Sequence, residues 1–303
     1  MSAIGNTPLV KLNRLTNQDC ADIYVKVEGA NPTGSMKDRM ALSMIQAAEG
    51  RGELSPGDQV VEYTGGSTGS SLAMVCAMKG YKAHFVSSDA FAEEKIQTMR
   101  AFGATVELIP AKDLKLTAAI IDQMISRAKE LAQAPNTFWP NQVHNPDNKR
   151  GYHGMGKEIL AALGTKIDEF VMAVGGGGCI SGNSEVLKAA IPGLRTIAVE
   201  PLHVRNISGR GTSGTHKLEG IGLSFVPSIL RKDLIDDIIA VSDADAYRTA
   251  HQLAKQEGVF GGATAGANVW AALQRAKVLG PGKTIVTVIC DSGLKYLQGD
   301  LYQ

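Results

Sequence analysis

The sequence predicts an α/β protein of two domains, each a mostly parallel twisted sheet flanked by helices. Short apolar runs alternate along the chain with longer segments of helical periodicity. Such short and strongly apolar runs are typical of strands that are buried on both faces. A non-periodic stretch containing Pro135, Pro140 and Pro146 separates two of these series and indicates the crossing between the domains.

The strands are expected to be short, and helices are expected to follow most of them. The expected strands span residues 23–27, 60–63, 83–86, 105–109, 170–174, 196–199 and 285–289. The expected helices span residues 40–49, 70–79, 93–102, 116–131, 156–163, 243–257 and 268–278. We expect Asp243 to cap the helix that begins there and Gly258 to end it. Because ligands bind beyond the carboxyl ends of parallel strands, the loops after the strands are the candidate sites.

Composition excludes several classes of protein. A net charge of +1 over 303 residues gives no basic surface for nucleic acid or for an anionic membrane. No apolar run is long enough to span a bilayer, and the first residues do not form a secretory signal. The cysteines lack any CxxC pair and predict neither a metal site nor a disulfide framework; they are Cys20, Cys76, Cys179 and Cys290. We therefore expect a cytoplasmic protein that binds no metal, no nucleic acid and no membrane.

One lysine occupies an unusual position. Lys37 lies in the polar segment 31–39, which opens the first long helix. A cation at the start of a helix faces the partial positive charge of the helix dipole. This position suits a lysine that reacts as a neutral amine or forms a Schiff base. An ordinary surface lysine is the alternative, and the loop alone does not exclude it.

Two glycine loops follow expected strands. In segment 64–69, backbone N–H groups and the hydroxyls of Thr64, Ser67 and Thr68 form a cradle for a carboxylate or a phosphate. The run 175–178 consists of four glycines, whose successive N–H groups suit a phosphate at the start of the next helix. A tight turn is the alternative for the first loop. The second lacks the ending of a P-loop and the spacing of a dinucleotide site, which disfavours both.

These loops occur in a fixed order with several other motifs. The series is Ile4-Gly5-Asn6-Thr7-Pro8-Leu9, segment 31–39, segment 64–69, Asn145-Pro146, the glycine run 175–178, Glu200-Pro201, Glu219-Gly220-Ile221-Gly222, Asp291-Ser292-Gly293 and Lys295-Tyr296-Leu297. It resembles the cysteine synthase (O-acetylserine sulfhydrylase) and cystathionine β-synthase family of fold-type II pyridoxal-phosphate enzymes over essentially the whole chain. The resemblance implies a homodimer with the cofactor in the cleft between two domains. Residues 35–145 would form the smaller, mobile domain that closes over substrate, and residues 1–34 with 146–303 the larger domain that binds the cofactor phosphate.

The resemblance also implies a role for individual residues. Lys37 would form the Schiff base with pyridoxal 5'-phosphate and act as the catalytic base. The other implied cofactor contacts are Ser67, Gly175, Gly176, Gly177, Gly178, Cys179, Thr264 and Asp291. The implied substrate contacts are Thr64, Gly65, Ser67, Thr68 and Gln142.

The chain departs from the family pattern at several of these positions. Gly65 stands in place of a serine, and Ser67 stands in place of an asparagine. Gly176 and Cys179 replace two threonines of the phosphate loop, and Thr264 replaces a more usual serine. Cofactor use is still expected, because Lys37 is present. The exact substrate is left open by these departures.

The implied activity is β-replacement on an activated serine such as O-acetylserine, with sulfide as the nucleophile, through an α-aminoacrylate intermediate to L-cysteine. The alternatives within the family are cystathionine formation from homocysteine and β-elimination by a serine/threonine dehydratase or a cysteine desulfhydrase. A catalytically silent binding or regulatory relative is the alternative outside catalysis. The identity of the leaving group and of the thiol or sulfide nucleophile stays open at this point.

Overall fold

The computed structural model describes residues 2–112 and 117–303. The expected helix 116–131 begins at Leu116, which lies outside the described residues. The described chain divides into two compact units. The smaller unit contains residues 37–151 together with the first residues of the chain, and the larger unit contains residues 3–36 and 152–303.

The elements alternate as the periodicity predicts. In chain order the strands are β1 (Leu9–Lys11), β2 (Asp22–Val27), β3 (Gln59–Tyr63), β4 (Lys82–Ser88), β5 (Thr105–Ile109), β6 (Thr137–Phe138), β7 (Glu169–Ala173), β8 (Arg195–Pro201), β9 (Val204–Arg205), β10 (Gly211–Thr212), β11 (Asp237–Val241) and β12 (Thr284–Ile289). The helices are α1 (Lys37–Arg51), α2 (Ser67–Lys79), α3 (Glu93–Ala101), α4 (Ala118–Leu131), α5 (Pro146–Arg150), α6 (His153–Leu163), α7 (Gly178–Ala190), α8 (Asp243–Gln252) and α9 (Ala263–Leu279).

The smaller unit is built on a four-stranded sheet in the order β5-β4-β3-β6. All of its neighbouring strands are parallel, with Val61 opposite His84 and Val60 opposite Phe138. Helix α4 packs its apolar face on this sheet. The buried core cluster between them contains Val61, Val86, Ile120, Met124 and Ala128. The carboxyl ends of β3, β4 and β6 therefore lie along one edge, where their loops emerge together.

The larger unit is built on a six-stranded sheet in the order β1-β2-β12-β7-β8-β11. Only β1 is antiparallel among the strands of this sheet, and the others run parallel. Helix α9 is fixed to the sheet by Asn268, whose Oδ1 accepts from the Ala173 N–H at 2.7 Å and whose Nδ2 donates to the Val288 carbonyl at 2.7 Å. The ends of β7 and β12 are therefore held in register with α9.

The parallel α/β architecture confirms the fold class expected from the sequence. The expected strands did not include β1, β6, β9, β10 and β11, because each of these is short or lies at a sheet edge. The predicted cap was wrong by one residue: the Ser242 side chain accepts from the Asp245 N–H, and Asp243 is the first helical residue. Gly258 ends the segment in the left-handed conformation, as expected. Within residues 2–112 and 117–303, no helix combines the length and apolar character needed to cross a bilayer.

Candidate active site

The first glycine loop joins the end of β3 to the start of α2. Thr64 Oγ1 accepts from the Gly66 N–H at 3.2 Å and from the Gly69 N–H at 3.0 Å. The Thr64 oxygen therefore holds the loop in shape, and its hydroxyl proton is left for another acceptor. Gly66 precedes the helix at φ 157°, a backbone conformation that requires glycine.

A neighbouring aromatic ring explains why the first loop carries a glycine at position 65. A Cβ atom on Gly65 would lie 2.3 Å from Cε1 of Phe91, in the loop after β4. A Cβ atom on Gly69 would lie 2.2 Å from Sδ of Met99. The ring of Phe91 thus takes the space that a serine side chain at position 65 would need.

The structure brings Gln142 to this loop, as the resemblance implies. Thr68 Oγ1 donates to Gln142 Oε1 at 2.8 Å, and Gln142 lies in the segment that follows β6. Ser67 is the first residue of α2 and is partly exposed. Thr68, Ser67 and Gln142 therefore lie around the N-terminus of α2, where the helix dipole favours an anion.

A buried carboxyl beneath this group was not singled out from the sequence. Glu62 is 0% exposed, and its oxygens accept from Trp139 Nε1 at 3.0 Å and from the Gln142 N–H at 3.1 Å. Its signal was an acidic residue within the apolar strand that starts with Val60 and Val61. Glutamate is rarely fully buried, so such a position is informative.

Lys37 is the first residue of α1 and is partly buried. The residues just before it belong to the larger unit, where the Met36 N–H donates to the Cys290 carbonyl at 2.8 Å. The backbone of Ser35 forms an isolated bridge with Asp291. The end of β12 therefore fixes the chain immediately before the lysine.

The four-glycine run follows β7 and leads into α7. Gly177 adopts a left-handed conformation at φ 81°, and Gly178 is the first helical residue. A Cβ atom on Gly175 would lie 2.0 Å from the Gly220 carbonyl oxygen, so this loop packs directly against the backbone of another loop. The first N–H groups of a helix have no acceptor within that helix, and glycines place no side chain over them.

Three other implied residues belong to the larger unit, and two of them, Thr264 and Cys179, lie near this run. Thr264 Oγ1 donates to the Glu219 carbonyl at 2.8 Å, which ties the start of α9 to the loop that touches Gly175. Cys179 is 5% exposed and lies in the first turn of α7. Asp291 Oδ2 accepts from the Tyr296 hydroxyl at 2.6 Å, and burial is the main cause that raises the pKa of Tyr296 well above its ordinary value.

These residues supply the groups that pyridoxal phosphate needs. Lys37 offers an amine for its aldehyde, and the N-terminus of α7 offers N–H groups for its phosphate. Thr264 offers a hydroxyl for its ring nitrogen, on condition that the proton now shared with the Glu219 carbonyl is redirected. The types of group that the two units carry therefore suit the cofactor, even though Gly176 and Cys179 replace two threonines.

Comparison with known proteins agrees with this chemistry. The family model described as "Pyridoxal-phosphate dependent enzyme" matches residues 1–291. A cysteine synthase of Staphylococcus aureus (strain N315) is 42% identical, over 99% of this chain and 95% of that protein. The crystal structure of an O-ureido-L-serine synthase is 36% identical with a TM-score of 0.93, covering 99% of this chain and 93% of that one. A hydrogen sulfide-producing enzyme of Fusobacterium nucleatum is 38% identical with a TM-score of 0.91, covering 98% of each chain. The family match and the identity over nearly the full chain show that this chain belongs to the family of pyridoxal-phosphate dependent enzymes.

Proposed function

We propose that this enzyme makes L-cysteine by pyridoxal-phosphate dependent β-replacement, in which sulfide replaces the leaving group of an activated serine such as O-acetylserine. The observation that carries the proposal is the 2.8 Å hydrogen bond between Thr68 and Gln142 at the N-terminus of α2. This bond places a hydroxyl and an amide beside the N–H groups of Ser67 and Thr68, and together they form a surface for a substrate carboxylate. The identity to a cysteine synthase over nearly the full chain supports the same activity.

The smaller unit supplies the groups for the amino-acid substrate. The N–H groups at Ser67 and Thr68 and the side chain of Gln142 bind the α-carboxylate. Thr64 shapes the loop and has a hydroxyl proton to donate. The N–H of Gly65 completes the cradle in this assignment. Holding the carboxylate in this way orients the α-carbon toward the base that takes its proton.

The cofactor groups come from Lys37 and from the larger unit. When bound, pyridoxal phosphate supplies the electron sink that stabilises negative charge at the substrate α-carbon. Lys37 holds the cofactor, and its Nζ takes the α-proton. The glycine run 175–178 with Cys179 holds the phosphate, while Ser67, Thr264 and Asp291 are assigned to the remainder of the cofactor.

Release of hydrogen sulfide is the second candidate function. It is favoured by the 38% identity to the hydrogen sulfide-producing enzyme of F. nucleatum over 98% of both chains. The same residues would act on cysteine, with water or a second thiol replacing its sulfur. The departures at Gly65 and Ser67 lie where the substrate carboxylate would bind, so the donor must be tested directly.

The test is a matrix of donors and acceptors with the purified holoenzyme. O-acetylserine, serine, O-phosphoserine and cysteine are each supplied with sulfide, with homocysteine or without a nucleophile. We expect cysteine to be the main product, from O-acetylserine and sulfide. Pyruvate formation without a nucleophile at a comparable rate would support elimination instead. No turnover of any donor would support the catalytically silent relative.

The variant Lys37→Ala tests the base. We expect its turnover to fall by about 10²–10⁴-fold from the lost proton transfer alone. The cofactor should also no longer be fixed to the chain by borohydride, which peptide mass analysis measures. Lys129→Ala, on the exposed side of α4, is the matched control and should behave as wild type. Undiminished turnover in Lys37→Ala would contradict the assignment.

Assembly and location are further parts of the proposal. We propose a homodimer on the family resemblance, which light scattering of the holoenzyme tests. We also propose a cytoplasmic location, since the four cysteines are not joined in disulfides and thiols persist in a reducing compartment. Closure of the domain at residues 35–145 over substrate is likewise proposed, and a substrate-dependent change in small-angle scattering would test it.

A further inference from the structure

We propose that Glu62 is a positioning residue that fixes Gln142 beside Thr68 and thereby sets the affinity of the enzyme for its amino-acid substrate. The inference rests on the proposed function, since it takes Gln142 to bind the substrate. Glu62 lies inside β3 and is fully buried. An apolar side chain would be the stable choice at such a position, so the carboxyl must have another reason to be there.

The carboxyl accepts from N–H donors of its own strand and of the segment that follows β6. Oε1 accepts from the Tyr63 N–H at 3.0 Å and from Trp139 Nε1 at 3.0 Å. Oε2 accepts from the Gln142 N–H at 3.1 Å, and the Asn141 N–H is a further donor. In the described part of the chain, no lysine or arginine forms an ion pair with Glu62. Its charge is therefore compensated by the backbone and the indole of the segment that carries Gln142.

Gln142 is consequently held through its backbone and its side chain, and its Nε2 donates to the Tyr63 carbonyl at 3.5 Å. Its N–H donates to Glu62, and its carbonyl accepts from Asn148 Nδ2 at 2.7 Å. Its side-chain Oε1 accepts from the Thr68 hydroxyl at 2.8 Å. The backbone just before it turns at Asn141 with φ 49°, a left-handed conformation that needs support from its surroundings. Glu62 supplies that support, because its carboxyl accepts from Trp139 before the turn and from the Gln142 N–H after it.

The charge of Glu62 is expected to change near neutral pH. Burial raises its pKa to about 7, although the Trp139 indole and the neighbouring N–H groups act to lower it. A protonated carboxyl accepts hydrogen bonds more weakly than a carboxylate does. As the pH falls below about 7, the turn should loosen and KM for the amino-acid substrate should rise.

Other titratable groups on the surrounding elements must be distinguished from Glu62. They are Tyr63, His84 on β4, Cys76 and Lys79 on α2, and His144 and Asp147 after Gln142. The pKa values of Tyr63 and Cys76 are raised to about 12, chiefly by burial. Lys79 is paired with Glu49, and Asp147 with two arginines. His84→Asn and His144→Asn serve as controls for the two ionisable rings on these elements.

The first measurement follows Trp139 fluorescence and needs no activity. The chain has two tryptophans, and Trp270→Phe leaves Trp139 as the only one. We expect the Trp139 emission of this holoenzyme variant to titrate with a midpoint near 7. The transition should persist with either histidine control and disappear with Glu62→Gln. If Glu62→Gln does not fold, the titration of the Trp270→Phe protein alone still tests the charge change.

The second measurement separates KM from kcat. Glu62→Gln should raise KM for the amino-acid substrate about tenfold, the effect of losing a hydrogen bond to a charged group, with kcat changed much less. Its KM should no longer depend on pH near 7. Trp139→Phe removes a donor that lowers the pKa of Glu62, so its KM transition should move to higher pH. Glu49→Gln, which breaks a carboxylate contact outside the site, should leave KM unchanged.

A double variant tests the route through Gln142. Gln142→Ala should raise KM, and adding Glu62→Gln to it should raise KM little further, because the positioned group is already gone. Fully multiplicative effects of the two variants would overturn the proposal, as would an emission that does not titrate between pH 5 and 9. If the wild type turns over no amino acid at all, the proposed function fails, while the fluorescence titration still decides the charge change at Glu62.

Discussion

Restoring the family serine at position 65 should destabilise the smaller unit. The Cβ of Gly65→Ser would start 2.3 Å from the ring of Phe91, and ordinary contact begins at 3.4 Å, so the ring must retreat by about 1.1 Å. Phe91 packs against the cluster formed by α4 and the central strands, which leaves it little room. Overpacking of this kind typically lowers the free energy of unfolding by about 1–3 kcal/mol.

Equilibrium unfolding in urea, followed by circular dichroism, measures this cost. Gly50→Ser is the matched control, because a Cβ atom on Gly50 meets nothing within 4 Å. In a Phe91→Ala background the space is already empty, so Gly65→Ser should cost about 1–2 kcal/mol less there than in the wild type. The substitution should also raise KM for the amino-acid substrate in the Phe91 background, because the carboxylate loop has to move with it.

Two results would refute this reasoning. The first is that Gly65→Ser unfolds at the same urea concentration as the wild type. The second is that Gly65→Ser lowers the free energy of unfolding by the same amount, within about 0.5 kcal/mol, with and without the ring of Phe91. Either result would mean that the loop adapts without contact to Phe91, and the reason for glycine at this position would lie elsewhere.

Two further predictions concern the larger unit. Gly175→Ala places a Cβ atom 2.0 Å from the Gly220 carbonyl oxygen, so the purified protein should retain less cofactor, measured by absorbance after dialysis. The control Gly193→Ala, where a Cβ atom meets nothing within 4 Å, should retain the cofactor fully. Arg275→Met removes the 2.8 Å partner of the fully buried Glu169 carboxylate and leaves it Arg195 at 3.4 Å, so the free energy of unfolding should fall by about 1.5–3 kcal/mol in a urea titration, with an unchanged midpoint as the contradicting result.

The sequence predicted the architecture because its parallel strands are short apolar runs, but it placed the starts of several helices too late. Helix α1 was expected from Met40 and begins at Lys37, and α2 was expected from Ser70 and begins at Ser67. The first turns of these helices are polar or rich in glycine, so periodicity does not reveal them. They form because the preceding strands and loops fix their first residues in place.

Those missed turns are the ones assigned to ligands. A helix start that binds an anion must keep its N–H groups uncovered, which favours glycine, serine and threonine over the apolar residues that mark a helix in the sequence. For the same reason α7 was not among the expected helices, although the glycine run before it pointed to a helix start. Contacts between distant segments, such as Thr68 with Gln142, depend on the sheet order, which a periodicity pattern does not contain.

Glu62 shows how such a site departs from what stability alone would select. Its pKa of about 7 in the folded chain lies above the ordinary value of 4.5, so the folded state holds this proton more tightly than the unfolded state does. As the pH rises from 4.5 to 7, the unfolded chain loses the proton first, and the contribution of Glu62 to the free energy of unfolding falls. Above about pH 7 the charged carboxyl therefore makes the smaller unit less stable than the protonated carboxyl does at low pH. The same carboxyl that lowers the stability of the fold at the end of β3 also fixes Gln142. A buried charged residue inside an apolar strand therefore indicates a functional position.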